Sequence, residues 1–234
     1  MKQRRLVLAD WRRCSFGFLF EFQGARVLTT GREFSLPAEE PQPGRLRSGV
    51  EAAGFHPRSV VGMKQVHGAR LEEIGPGPDR VIPDCDGLVT ELPEAALVIR
   101  TADCLPIVAF GDGRLGAAHA GWRGVRSGIL GELVKRMGGT EFEVAIGPGI
   151  GPCCYEVGQE FEEWFAPHLV CRARRRYFDL PGAARAQLEE AGVAPERIHT
   201  VSECTACSPE FHSFRRDGAA AGRMMTIAML KGGS

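Results

Sequence analysis

Residues 96–121 read ALVIRTADCLPIVAFGDGRLGAAHAG, and the way this stretch divides decides the fold. Its first fifteen residues, 96–110, are rich in Val, Leu and Ile and too long for one strand. Asp103, Cys104 and Pro106 break the apolar pattern, and a proline cannot donate to a central ladder, so two strands around a turn are predicted. A further run, RLGAAHAG, is closed by His119, and DGLVT (86–90) precedes the group. Short apolar runs bounded by Gly, Pro or charge are the signature of strands covered on both faces.

Working outward, SVVGMKQVHG (59–68), FEVAIG, RIHTVSEC and GRMMTIAML also read as strands. In VRSGILGELVKRM (125–137), apolar residues recur at helical spacing and Gly138-Gly139 supply a stop, so a helix is predicted from just past Gly-Trp-Arg-Gly. GQEFEEWF and LPGAARAQLEEAG are predicted helical, and GVEAAG is predicted to close another helix. The stretch LPAEEPQPGRLRSG (36–49) holds three prolines and several charges and is expected to lack a regular element. It separates a variable N-terminal part, 1–50, from the rest. This order is neither a βαβ repeat nor an all-β meander. The expectation is one α+β domain over 1–234, a mixed β-sheet with helices packed on it in layers.

A formal net charge of +0 gives no field to draw the protein to a phosphate backbone or an anionic membrane, so neither nucleic acid nor membrane is an expected partner. Asp10, Arg12 and Arg13 interrupt the N-terminal apolar run before a signal-peptide core forms, and no window is long enough to span a bilayer. A cytoplasmic location with most of the eight cysteines reduced is expected.

Three chemically able residues close apolar runs: His67 in KQVHG, Cys104 in TADCLP and His119 in AAHAGW. Imidazole and thiolate are ligands that zinc prefers, and three protein ligands with an open fourth position form the catalytic arrangement. Spacing alone leaves two readings open, since strand-end histidines also sit satisfied in cores and buried free cysteines are common and inert. Cys204 and Cys207 form a C-x-x-C that reads as a loop or a metal-free thiol pair, with His199 or His212 as a completion if it is a zinc half-site. Adjacent Cys153 and Cys154 are read as packing residues on a Gly/Pro-rich loop. The glycines of GPGIG (147–151) do not have dinucleotide spacing, which rejects an NAD site.

Taken together, KQVHG, DCDGLVT, RTADCLPI, AAHAGWRG, AIGPGIGPCCYEVG and CTACSPEFHSFRRDGAAAGR resemble the purine nucleoside phosphorylase family formerly called laccase-domain or multicopper polyphenol oxidoreductase-like proteins, also linked to peptidoglycan editing. The resemblance runs from about Val60 to the C-terminus. It implies that His67, Cys104 and His119 are the catalytic metal ligands, that the metal is Zn²⁺ with copper the lesser candidate, and that purine nucleosides and phosphate are the substrates. The implied reaction is phosphorolysis of adenosine, inosine or 5′-methylthioadenosine, with adenosine deamination as a side activity. The chain departs from the family pattern in TTGREFSLPAEEP, which keeps only a trace of an N-terminal substrate segment, and at Cys85, Gly87 and His212.

Phosphorolysis needs cationic donors for a dianion. Arg123, Arg215 and Arg216 are the substrate-binding candidates, with Lys64 a fourth. Asp103 could orient a ligand histidine or simply form the turn, and Trp122 could stack on a base or pack in the core. Two readings of other classes use the same atoms: a metal-free Cys-His hydrolase with Cys104 as nucleophile, and a binding protein with a structural metal. Six histidines are too few for multicopper oxidation. A monomer or homodimer is expected.

Overall fold

The computed structural model describes residues 11–22 and 24–231; the N-terminal MKQRRLVLAD lies outside them. Along the chain, β1 (Arg12–Cys14), β2 (Gly17–Phe22) and β3 (Ala25–Thr30) form a meander, followed by α1 (Pro43–Ala52). Next come β4 (Ser59–Met63), β5 (Leu71–Glu73), β6 (Arg80–Ile82) and β7 (Gly87–Thr90). The opening stretch supplies β8 (Ala95–Thr101), β9 (Leu105–Gly111) and β10 (Arg114–Ala120). Then follow α2 (Trp122–Arg126), α3 (Ile129–Met137), β11 (Glu143–Ile146), β12 (Glu156–Val157) and α4 (Phe161–Phe165). The chain ends with β13 (Leu169–Arg172), β14 (Arg175–Phe178), α5 (Leu180–Glu190), β15 (Ile198–Thr200), α6 (Phe214–Asp217) and β16 (Met224–Leu230).

The strands fall into two large sheets and one small one, so the predicted single mixed sheet is resolved into a sandwich. A seven-stranded sheet has the order β1-β2-β3-β16-β8-β4-β6, a six-stranded sheet the order β15-β11-β9-β10-β7-β5, and β12-β14-β13 form a third. Both large sheets are mixed: β4 runs parallel to β6 and β8, and β11 parallel to β15, among antiparallel neighbours. Phe20, Leu97 and Ala228 of the first sheet meet Leu88, Phe110 and Ala117 of the second in one buried cluster. Helices cover the outer faces. Leu46 and Val50 of α1 pack on the seven-stranded sheet, and Leu133 of α3 and Leu188 of α5 on the six-stranded one. The layers are therefore helix, sheet, sheet, helix.

This layering explains the sequence of β10. Leu115 and Ala117 face the other sheet while Ala118 and Ala120 face the helices, so both faces are buried and polar alternation is absent. At Gly116 a Cβ would stand 2.6 Å from Leu133 Cδ1, which is why α3 can lie so close to the strand. His119 shares the parity of Ala117 and so ends the strand on the face between the sheets.

Three boundaries differ from the sequence reading. Residues 43–49 are helical despite the prolines, because Pro43 occupies the first turn of α1, where a missing N–H costs nothing. The helix after the histidine begins at Trp122 rather than past Gly124, and it breaks at Gly128 (φ 81°) into α2 and α3. The strand through SVVGM stops at Met63, and Lys64 to Gly68 leave the sheet. Within the N-terminal part, β3 pairs with β16 inside the large sheet.

Candidate functional site

Three strand ends deliver the donors. His67 lies in the loop after β4, Cys104 in the turn between β8 and β9, and His119 at the end of β10. Their donor atoms all lie within 4.8 Å of one another. The two imidazole rings stand 4.8 Å apart, centroid to centroid, at 77°. His119 is 3% exposed, whereas His67 is open to solvent and Cys104 half-buried. One side of the cluster therefore faces outward.

Asp86 organises this geometry, and the sequence reading missed it. Its carboxylate is fully buried and accepts the backbone N–H of Val66 (3.1 Å), His67 (2.9 Å) and Gly68 (2.7 Å). Its fourth bond, at 2.8 Å, is to His119 Nδ1, which leaves Nε2 for Cys104. Burial alone would push the Asp86 carboxyl up, but the His119 ring and the backbone donors outweigh it and hold the group below its usual range. The same N–H bonds sustain His67 at φ 62°, a left-handed conformation that costs a non-glycine residue on the order of 1 kcal/mol. Asp103, the orienting carboxylate suggested by the sequence, instead accepts from the Thr205 hydroxyl (2.7 Å) and the Arg215 N–H (2.6 Å).

Gln65 fixes the loop from its other side. Its amide donates to Arg100 O (2.8 Å) and accepts from Arg100 N–H (2.9 Å), mimicking one ladder step on β8. At Gly121 a Cβ would lie 2.9 Å from Cys104 Sγ and 3.2 Å from His67 Cδ2, so no larger residue fits there. Burial opposes ionisation of both Cys104 and His119. Their mutual attraction prevails, holding the thiol at about 6 and, with Asp86, raising the imidazole to about 9. Both directions favour a thiolate beside an imidazolium, and a metal ion bound here would take the place of the ring proton.

The donors line a cleft of about 460 Å³ that also contains Arg100, Arg123, Arg215 and Arg223. Among the described residues none of these four guanidiniums has a carboxylate ion-pair partner. Arg100 bonds the carbonyls of Pro37 and Glu39, Arg215 that of Glu156, and Arg223 those of Ala221 and Gly222; Arg123 lies over the Trp122 ring. Burial lowers the Arg100 pKa to about 10, with Arg223 adding to the effect, so the two cations crowd each other in a poorly hydrated place. Of the cations singled out from the sequence, Arg123 and Arg215 line this cleft. Arg216 and Lys64 do not: Arg216 binds the carbonyls of Thr205, Ala206, Ser208 and Phe211, and Lys64 pairs with Glu40. Arg100 and Arg223 were missed because each lies on or beside a strand with nothing local to mark it.

Trp122 stacks on Trp164 (5.4 Å, 6°), so one of its faces belongs to the core. The GPGIG loop packs on the Cys104 turn, with Ile150 N–H donating to Asp103 O (2.8 Å). The suggested histidine completions of the C-x-x-C pair are absent: His199 binds Glu143 (2.7 Å), and His212 is buried with no hydrogen-bond partner among the described residues. Cys154 packs against the core as read, while Cys153 is exposed, and with Cys204 and Cys207 the two form a second cluster of donors within 4.8 Å of one another. No helix among the described residues is long and apolar enough to cross a membrane.

A sandwich of two mixed sheets with an open His-Cys-His cluster at its strand ends defines a distinct class of protein. The model of the family described as "Multi-copper polyphenol oxidoreductase laccase" matches residues 45–231, and the chain belongs to that family. It is 38% identical over 148 residues to a purine nucleoside phosphorylase of Aquifex aeolicus, covering 62% of this chain and 70% of that one. It is 36% identical over 190 residues to the purine nucleoside phosphorylase YlmD of Geobacillus stearothermophilus, covering 70% and 69%. The crystal structure of YlmD from that organism superposes with a TM-score of 0.82 at 28% identity, covering 96% of this chain and all of that one.

Proposed function

We propose that this chain is a zinc-dependent purine nucleoside phosphorylase acting on adenosine, inosine and 5′-methylthioadenosine. The observation that carries the reading is the sharing of one cleft by three soft donors and four arginines without carboxylate partners. Cations left unpaired in a cleft suit an anionic reactant, and inorganic phosphate is the dianion that phosphorolysis requires. The names of the relatives agree with this choice.

The donor set fits a zinc ion. His67, Cys104 and His119 would hold it, with Asp86 fixing the tautomer of His119 and Gly121 keeping the space clear. When bound, zinc supplies Lewis acidity toward a substrate oxygen or nitrogen. The rest of the work belongs to side chains. The arginines hold phosphate and offset its loss of hydration, while Tyr155 and exposed Phe214 offer ring faces to a purine. A phosphate oxygen bonds to the anomeric carbon as the glycosidic bond breaks. Its electron pair leaves with the base, which takes up a proton, and ribose 1-phosphate remains.

A metal-free Cys-His hydrolase would use the same thiolate, and polyphenol oxidation would need a larger histidine set. Among the described residues two of the six histidines line the cleft, and no methionine lines it as an axial ligand. The test is to incubate the protein with each nucleoside, with and without phosphate, and to follow the products by chromatography. The expected result is phosphate-dependent base release that is abolished by chelation, restored by zinc, and lost in folded Cys104→Ser protein. Release that ignores phosphate or survives chelation overturns the reading. Conversion of adenosine to inosine in the same assay reads out the deaminase side activity.

A further inference from the structure

Outside the cleft, the loops before β12 and after β15 bring four thiols together. Cys153 and Cys154 sit in the turn that opens with Gly151, where the N–H groups of Cys154 and Tyr155 both donate to Gly151 O at 3.1 Å. Cys204 and Cys207 sit on a second turn closed by Ser208 N–H to Cys204 O, also at 3.1 Å. Adjacent cysteines in an extended strand point to opposite faces, but in a tight turn they need not. Here Cys207 Sγ lies 3.4 Å from Cys153 Sγ and 3.3 Å from Cys154 Sγ, and all four sulfurs lie within 4.8 Å of one another.

These separations are too long for disulfide bonds, in which the sulfurs stand about 2.0 Å apart. They bracket the edge of a zinc–sulfur tetrahedron, about 3.8 Å for bonds of about 2.3 Å. The surroundings suit an anionic centre. Gly151 N–H donates to Cys204 Sγ at 3.3 Å. The guanidinium of Arg216 binds the carbonyls of Thr205, Ala206 and Ser208 in the C-x-x-C turn, and that of Arg172 binds Pro152 O beside the adjacent pair. Arg172 has no carboxylate partner among the described residues; its ring contact is with Tyr177.

We infer that Cys153, Cys154, Cys204 and Cys207 form a closed structural zinc site, separate from the His67, Cys104 and His119 cluster. Binding exchanges four thiol protons, released to water, for one divalent ion, and the resulting net −2 centre stands near the guanidinium of Arg172 and that of Arg216, which is also paired with Asp217. With four protein ligands no position is left for a reactant, so the role is to hold structure. What it holds is the cleft wall. One turn carries Ile150 and Tyr155, and the other carries Thr205, whose hydroxyl anchors Asp103 beside Cys104. A backbone bridge between Gly149 and Cys204 joins the two turns, and the ion would staple it.

The test is zinc content after purification under reductant. The His67→Ala/His119→Ala chain, which lacks the cleft donors, is expected to retain about one zinc per chain. That zinc is expected to be lost when Cys153→Ser and Cys207→Ser are added at these exposed positions. Cobalt added to the stripped His67→Ala/His119→Ala protein should give the intense visible bands of tetrahedral cobalt thiolate. Should that double variant fail to fold, wild type is compared with Cys153→Ser/Cys207→Ser alone, with a fall from about two zinc ions to one expected. Zinc content untouched by the serine changes overturns the inference, as does a disulfide among the four cysteines in mass spectra of freshly reduced and then air-exposed protein. Loss of the cleft zinc alone would count against the proposed function and leave this site standing.

Discussion

The two donor clusters are built from similar atoms by opposite means. His67, Cys104 and His119 come from the ends of three strand segments, are held by a buried aspartate, and open into a cleft lined by unpaired arginines. The four cysteines come from two turns at the surface that share a short backbone bridge, and their sulfurs converge on one another rather than on a cleft. An incomplete set of donors on a rigid frame leaves room for chemistry. A complete set on irregular chain leaves none, and serves the frame itself.

The most forceful way to break this contrast is to delete a cleft donor. His119→Ala is expected to lower kcat/KM by about 10³-fold or more, roughly 4 kcal/mol of transition-state stabilisation, while the zinc at the four thiols stays bound. Steady-state kinetics paired with metal analysis checks both halves. Asp86→Asn keeps the shape but gives the His119 ring a neutral partner; a loss of about 10–100-fold in cleft-zinc affinity is expected by competition with a chelator. Arg223→Met should raise the KM for phosphate by about 10-fold, the loss of one charge-assisted bond, and leave the nucleoside KM near its original value. Arg216→Met belongs to the other cluster. It is expected to lower Tm by about 2–4 °C through its four lost carbonyl bonds without moving the phosphate KM.

His212 provides the smallest effect and a control lying outside both clusters. Burial lowers its pKa in the folded chain, and neighbouring Arg32 adds to this. The stability tied to the neutral ring is present above the unfolded value of about 6.5 and is lost as pH falls toward the lower folded value, because the unfolded chain takes up the proton first. Denaturant melts at pH 7 and pH 5.5 should therefore differ less for His212→Phe than for the parent chain. An equal pH dependence in both would remove His212 from the account.

Much of this architecture was legible in the apolar runs, because burial on both faces leaves a pattern that survives without neighbours. The division of residues 96–110 at Asp103 and Cys104 matches the observed strands, whereas Pro106 lies inside β9 opposite His119, and β10 runs one residue past that histidine. The three donors were legible as strand ends. Their supporters were not, since Asp86, Gln65, Arg100 and Arg223 act through partners 18 or more residues away or through burial. The four-thiol cluster was hidden for a related reason. Half of it read as a C-x-x-C, but its partners stand 53 and 54 residues upstream of Cys207, where their adjacency argued against a shared ion. Arg216 and Lys64 show the converse: basic residues next to a motif whose nearest anions or carbonyls had already claimed them.

The strand β16 runs between β3 and β8, bonded to both along its length. Because it follows every other strand of this sheet along the chain, the seven-stranded sheet exists until β16 is made only as two unjoined pieces, each with a bare edge. During synthesis the N-terminal meander and the central strands must wait for residues 224–230 to emerge. Any truncation before residue 224 would leave two sticky edges rather than a smaller protein.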